Sequence, residues 1–269
     1  MIISFDFYWK YDLDNFKEIR NYIVNRSFPF TPKEIILDED YSFDDGINLF
    51  KNVEEIGSGE FSVIITGEAN GKKGRLYLNA FEWLNDLMIK MHISVEILNQ
   101  KDLDFYQQYI AIEHLLCCFI YSDEDERWQS ETRISEYEAR AVPHSHLPKI
   151  RDRTGRMVVD VSKNWGRCFH LLGIKFVAGG KMFFGEKFYG IVAEAILLSN
   201  RGQRIAKGKN QLIEVDLFDL FSTDYERIRK SQHEFISTTG LFDKLAYLQA
   251  NFIGYNQMLR SLGFGNGIK

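Results

Sequence analysis

Histidines and cysteines between positions 144 and 170 come closest in this sequence to a catalytic or metal-binding pattern. The pairs His144–His146 and Cys168–His170 together hold four side chains that can ligate a metal ion. One residue separates the members of each pair, whereas zinc sites usually use pairs separated by two or more residues. The same side chains could serve a hydrolase if they share a cleft. Their non-catalytic interpretation is surface histidines beside a buried thiol, and the spacing favours it.

Other motifs that could carry chemistry point to structure instead. Cys117 and Cys118 lie in an apolar run, whereas a reactive thiol needs a base and an electropositive setting. The glycine-rich segment 57–59 precedes a strand pattern, as a kinase loop does, but no kinase catalytic motif follows it, so a turn is favoured. P-loop, dinucleotide-binding, serine-elbow and zinc-protease motifs are absent from the sequence. The sequence therefore predicts no catalytic residue, no metal site and no cofactor.

Charge is distributed unevenly along the chain. Residues 1–135 contain 13 basic and 25 acidic side chains, a balance of −12, whereas residues 136–269 contain 20 basic and 13 acidic ones, a balance of +7. The basic residues of the second half are scattered through 140–163 and 200–210, and the whole chain has a pI near 5.8. Both observations argue against a nucleic-acid partner, which requires a continuous basic footprint.

Two acidic clusters in the first half are the candidate partner-binding residues. They comprise Asp38, Glu39, Asp40, Asp44 and Asp45 in the first cluster, and Asp123, Glu124, Asp125 and Glu126 in the second. One interpretation is a pair of solvated loops, since charged runs are mostly exposed. The other is a surface that attracts a partner with a basic surface, because summed charge steers association.

The elements that must position these residues indicate an α+β fold. The pattern predicts a mostly antiparallel twisted sheet, with helices packed on one face and a C-terminal helical pair. Alternation over 2–9 predicts a half-buried strand, with Ser4, Asp6 and Tyr8 on the opposite side from the apolar residues. Asn70-Gly71 predicts a hairpin turn between strands, and Thr223 with Glu226 predicts the capping box of a helix that Gly240 ends.

The composition of the middle of the chain indicates the domain organisation. Residues 122–163 are polar and lack apolar periodicity, so we expect a long connection with little regular structure. The domain prediction is one α+β domain over 1–269, with a possible two-lobed organisation of 1–126 and 164–269 joined by 127–163. The apolar stretch 164–222 should form the scaffold of the second lobe, as strand, helix and strand.

Composition indicates a cytoplasmic protein. The chain is 45% hydrophobic and 26% charged, the range of ordinary globular proteins. Asp6 and Lys10 interrupt the N-terminal apolar residues, which argues against a signal peptide, and no apolar run is long enough for a membrane helix. Three cysteines without a signal peptide favour a reducing compartment. The sequence leaves the oligomeric state open.

The order of features over 103–222 resembles that of bacterial polymorphic-toxin immunity proteins. The segments that carry the resemblance are EHLLCCFIYSDEDE, HLLGIKFV, MFFGEKFYGIV and AILLSN, followed by a basic turn and a strand ending in Asp-Leu-Phe-Asp. The resemblance implies a non-enzymatic cytoplasmic protein that binds and neutralises a cognate protein toxin. An acidic surface would then complement a basic toxin such as a nuclease. The hydrolase or metal-dependent enzyme remains the alternative.

Overall fold

A computed structural model describes residues 1–10, 17–19, 21, 30–37, 61–69, 72–83, 86–97, 103–171 and 174–250. Its strands are β1 (Ile2–Lys10), β2 (Thr31–Leu37), β3 (Phe61–Ala69), β4 (Lys72–Trp83), β5 (Asp86–Glu96), β6 (Leu115–Ser122), β7 (Lys149–Arg151), β8 (Met157–Val159), β9 (Phe169–Leu171), β10 (Ile174–Phe176), β11 (Lys181–Gly185), β12 (Gly202–Lys207) and β13 (Asn210–Asp216). Nine of them form one sheet in the order β12-β13-β11-β6-β1-β5-β4-β3-β2. Each neighbouring pair in it is antiparallel.

Helices surround this sheet. Those described in full are α1 (Tyr106–Ile110), α2 (Asp123–Ser130), α3 (Ile134–Ala139), α4 (Glu194–Ser199), α5 (Tyr225–Thr239) and α6 (Leu241–Ala250), with a 3-10 helix at Glu186–Gly190. Residues 17–19 and 21 are also helical. The α+β class, the antiparallel sheet and the C-terminal pair α5–α6 confirm the fold-class prediction. No helix of the described ranges is long and apolar enough to cross a membrane.

Strand β1 lies in the middle of the sheet and has a core on each side. Ile3, Phe5, Phe7 and Trp9 face one apolar cluster, which includes α1. Tyr8 belongs to the other cluster, together with side chains of α4, α5 and α6. Helices therefore lie on both faces, where the sequence predicted one. The prediction of a half-buried β1 is wrong for the same reason, since Ser4, Asp6 and Tyr8 are all buried.

The segment 122–163 is regular, which corrects the prediction of a long connection with little structure. It contains α2, α3 and the hairpin β7–β8. The Ser122 hydroxyl caps α2 by accepting a hydrogen bond from the Asp125 N–H at 3.3 Å. The first turn of α2 consists of acidic residues. Caps and helix-dipole interactions stabilise such a helix without an apolar stripe, so periodicity alone does not reveal it.

Strands from both predicted lobes pair within the one sheet. β6 pairs with β1 on one side and with β11 on the other, so the sheet continues from the first half of the chain into the second. Helix α1 ends at Ile110, and β6 begins at Leu115. Gly240 ends α5 as predicted, with φ 60°, but the cap of α5 is Asp224 rather than Thr223.

Candidate functional site

A chain of hydrogen-bonded polar side chains runs from the centre of the sheet to α2. It begins at Asp6 on β1, whose side chain is 1% exposed. One carboxylate oxygen lies 2.9 Å from Nδ1 of His92 on β5, and the other accepts a hydrogen bond from the Tyr121 hydroxyl on β6 at 2.6 Å. Antiparallel pairing places Asp6 opposite His92, so the sheet register itself brings these groups together.

The environment of Asp6 keeps its carboxyl ionised. Burial by itself raises the pKa of Asp6, but the hydrogen bond from His92 and the charges of His92, Lys90 and Lys175 lower it more. The net result is a pKa of about 2 against an ordinary value of 3.8. Tyr121 responds in the opposite direction, since burial and the neighbouring Asp6 charge raise the pKa of its hydroxyl. The pair is therefore a carboxylate that accepts from a neutral phenol.

We expect this pair to make the protein sensitive to acid. A carboxyl whose pKa is depressed on folding stabilises the folded state above its unfolded pKa of 3.8, and this contribution disappears as the pH falls towards 2. The depression corresponds to about 2 kcal/mol of unfolding free energy. Urea denaturation between pH 5 and pH 2 should show that wild type loses about 2 kcal/mol more than the Asp6→Asn variant. Equal losses in both proteins would contradict the assignment.

A second ion pair continues the chain from Tyr121 towards α2. Lys175 on β10 donates to the Tyr121 hydroxyl at 3.0 Å and to a Glu126 oxygen at 2.7 Å. The other Glu126 oxygen accepts from the Ser130 hydroxyl at 2.7 Å. Burial raises the pKa of Glu126, but the charge and hydrogen bond of Lys175 outweigh it and lower the pKa overall. The pair is therefore ionised and mostly enclosed, with its hydrogen-bonding capacity used inside the protein.

Cys168 and His170 form the outer end of this chain. The Cys168 sulfur lies 3.4 Å from Nε2 of His170, so the structure brings together two of the four residues that the sequence proposed for chemistry. Burial and the Glu126 charge raise the pKa of the thiol. Burial and the charge of Lys175 lower the pKa of His170. Both shifts favour the neutral thiol and neutral imidazole, whereas a nucleophilic cysteine requires the thiolate.

His144 and His146 take no part in this contact. The His144 ring packs 5.8 Å from the ring of Tyr137, and its Nδ1 lies 3.3 Å from the Val142 carbonyl oxygen. Among the described residues, no group of three or more histidine, cysteine and acidic side chains is arranged to hold a metal ion. The four-ligand arrangement considered from the sequence is therefore not formed in this part of the chain.

The second acidic cluster forms the first turn of α2, not a loop. Asp123 pairs with Arg127 at 3.2 Å and accepts from the Ser4 hydroxyl at 3.1 Å. The Arg229 guanidinium on α5 donates two hydrogen bonds to the Asp125 carboxylate, one of them 2.9 Å long. Glu126 pairs with Lys175. Glu124 is therefore the one member of this cluster whose carboxylate has no ion pair within the described ranges.

The first acidic cluster, Asp38 to Asp45, lies outside the described residues. A cleft of about 340 Å³ lies beside the second cluster. It is lined by Asp123, Glu126, Arg127, Ser130, Glu131 and Arg133. Arg133 donates to both carboxylate oxygens of Glu131, at 2.9 and 2.8 Å. The cleft therefore mixes both signs of charge instead of presenting a uniformly acidic surface.

Sequence reasoning missed the Asp6 chain because its members come from distant parts of the sequence. Asp6, His92, Tyr121 and Lys175 lie on four different strands. One signal was available in the sequence, namely the aspartate at position 6 between Phe5 and Phe7. If both faces of this strand are covered, the Asp6 carboxylate must be buried and must have hydrogen-bonding or charged partners. The partners themselves follow only from the strand order.

The geometry describes a closed polar network at the junction of both halves of the chain, together with a thiol and an imidazole in their neutral forms. Comparison with protein-family models and with curated proteins finds no match to this chain. The function must therefore be argued from the arrangement of its own residues.

Proposed function

We propose that this protein acts by binding a cognate protein toxin and blocking it, as a cytoplasmic immunity protein, rather than by catalysing a reaction. The observation that carries the proposal is the closed chain Asp6–Tyr121–Lys175–Glu126–Ser130, in which each potentially reactive group is bonded to the next. Groups arranged in this way stabilise a fold and have no free acid, base or nucleophile to offer a substrate.

The alternative of a thiol hydrolase is favoured by the contact between Cys168 and His170. The surroundings of that contact oppose it, since burial and the nearby Glu126 charge raise the pKa of the thiol. Catalytic cysteines are activated by the reverse arrangement, in which positive charge lowers the thiol pKa. The mostly enclosed Lys175–Glu126 pair beside it holds β10 against α2, which suits a structural role.

The network also suits a protein that offers a preformed surface. It joins β1, β5 and β6 from the first half of the chain to β10 from the second. Because Glu126 also belongs to the network, α2 is fixed relative to these strands. A rigid surface binds with a smaller entropic cost than one that must be ordered on binding. Preorganisation of this kind supports tight stoichiometric inhibition.

Co-expression with toxins tests the proposal. Candidate toxins are the proteins encoded next to this gene, each produced in a bacterial host from an inducible promoter. We expect the wild-type chain to restore growth against one of them and to form a stoichiometric complex with about nanomolar affinity, measured by calorimetry. If no flanking protein is toxic, or none is neutralised, the proposal is wrong.

The Cys168→Ser variant separates binding from catalysis in the same assay. Because serine replaces the thiol with a group of similar size, the complex should form and growth should be restored as with wild type. Loss of protection while the complex still forms would support the hydrolase alternative instead.

A further inference from the structure

The hairpin β7–β8 carries a dense group of positive charges that form no ion pair within the described residues. Four cations, Lys149, Arg151, Arg153 and Arg156, lie within eight residues that contain a single acid, Asp152. All four are exposed, and no carboxylate of the described residues forms an ion pair with them. By contrast, three of the four carboxylates in the α2 turn have cationic partners.

The tip of this hairpin is held in one conformation by its own hydrogen bonds. The Asp152 carboxylate accepts from the Thr154 N–H at 2.8 Å and from the Arg156 N–H at 2.9 Å. Gly155 adopts φ 82°, a left-handed conformation that suits glycine. The Arg151 guanidinium donates to the Gly155 carbonyl at 2.8 Å. The charged side chains therefore project from an ordered turn, and Asp152 is occupied in building it.

The base of the hairpin is fastened to the body of the protein. The Val159 N–H donates to the Thr132 carbonyl at 2.8 Å, and Val159 is buried. The Asp160 N–H donates to the Pro148 carbonyl at 2.9 Å. Beyond this base two large apolar side chains are exposed, Ile150 at 48% and Met157 at 46%. The result is a short arm that presents arginines beside apolar side chains.

We propose that the hairpin β7–β8 is a docking surface for an acidic segment of a protein partner, one that carries carboxylates next to an apolar side chain. Unpaired arginines beside exposed methionine and isoleucine match this chemistry. Arginine and methionine are enriched at protein interfaces, where lysine is depleted. The inference rests on the proposed function only in naming a toxin as that partner. The sequence analysis predicted an acidic surface that binds a basic partner, whereas this inference places a basic surface against an acidic partner. The reason is that most carboxylates in the first turn of α2 form ion pairs within the protein.

Nucleic acid is the other polyanion that a two-stranded ribbon accommodates. The apolar side chains on the arm and the chain's pI near 5.8 favour an acidic protein segment over it. The two classes are distinguished by using one probe of each. The first probe is a synthetic peptide of alternating glutamate and leucine, and the second is a 20-base-pair DNA duplex.

The test compares two full-length variants with equal changes of charge. One carries Arg153→Glu and Arg156→Glu at the hairpin, and the control carries Arg227→Glu and Lys230→Glu on α5, where both residues are also exposed. Binding is measured by fluorescence anisotropy at two salt concentrations, after circular dichroism has confirmed that both variants are folded. We expect the hairpin variant to bind the peptide at least about tenfold more weakly and the control to bind it like wild type.

Several outcomes would overturn the inference. No peptide binding by wild type, or equal weakening in both variants, would show that the hairpin has no specific role. Tighter binding of DNA than of the peptide, lost in the hairpin variant, would assign the arm to nucleic acid. The toxin from the growth assay separates the two proposals: if it binds both variants like wild type, the function stands and the hairpin inference fails. If no toxin is found but the hairpin variant loses peptide binding, the hairpin inference stands and the proposed function fails.

Discussion

Replacing Glu126 with alanine should lower the unfolding free energy of this protein by about 3–5 kcal/mol, because the substitution leaves the Lys175 ammonium enclosed without its carboxylate partner. Lys175 lies between α2 and the sheet, 2.7 Å from Glu126 and 4.6 Å from the centre of the Tyr121 ring. The remaining Tyr121 hydroxyl and ring compensate the charge only in part. Urea denaturation at neutral pH, where the pair is ionised, measures the loss.

A neighbouring residue provides the matched control for this substitution. Glu124 lies on the same turn of α2, is exposed, and has no ion pair within the described ranges, so Glu124→Ala should change stability by less than about 0.5 kcal/mol. Replacing both partners, as Glu126→Leu with Lys175→Met, should recover most of the stability, because no unpaired charge then remains. A single substitution at Glu126 that costs no more than Glu124→Ala would show that the pair is solvated.

Replacing Phe119 with alanine should lower the unfolding free energy by a similar amount, about 3–5 kcal/mol, through the cavity that it leaves. Phe119 is fully buried on β6, and its ring lies 5.8 Å from that of Phe176 and 6.0 Å from that of Phe184. The side chain fills the space between the sheet and the elements of the second half of the chain. Well-packed cores collapse only partly around such a vacancy.

Two comparisons test this explanation. Phe119→Leu keeps most of the buried volume and should cost less than half as much as Phe119→Ala. Tyr225→Ala removes an aromatic ring that is 59% exposed, and should change stability by less than about 0.5 kcal/mol. If Phe119→Ala and Tyr225→Ala have equal effects in thermal and urea denaturation, β6 does not lie at the centre of a packed core.

The parts of the fold that could be predicted from the sequence depend on local chemistry. The Asn70-Gly71 pair correctly predicts that β3 and β4 form a hairpin, in which Ala69 pairs with Lys72, although the pair itself lies outside the described residues. Gly240 correctly predicts the end of α5, because it adopts a left-handed conformation that glycine favours. The order of the strands rests instead on pairing between distant segments. The pairing of β11 with both β6 and β13, for example, joins segments that lie far apart in the sequence.

The candidate site illustrates the same limit. Asp123 to Glu126 form an acidic run that the sequence predicts as a charged surface, and only the positions of Arg229 and Lys175 reveal that the charges are paired. The basic hairpin was hidden for the opposite reason. Its four cations fall within the longer segment 140–163, whose basic residues the sequence analysis treated as scattered, and the turn built by Asp152 presents them on one short arm.

The central position of β1 has a consequence for how the chain folds as it is synthesised. Ile2–Lys10 pairs with Asp86–Glu96 on one edge and with Leu115–Ser122 on the other, so both edges of this apolar strand stay open until its partners have emerged from the ribosome. Exposed strand edges of this kind pair readily with other chains. Long-range strand pairing is also slow. The nascent protein therefore passes through an interval in which aggregation competes with folding, and chaperones that shield unpaired strands should increase its yield.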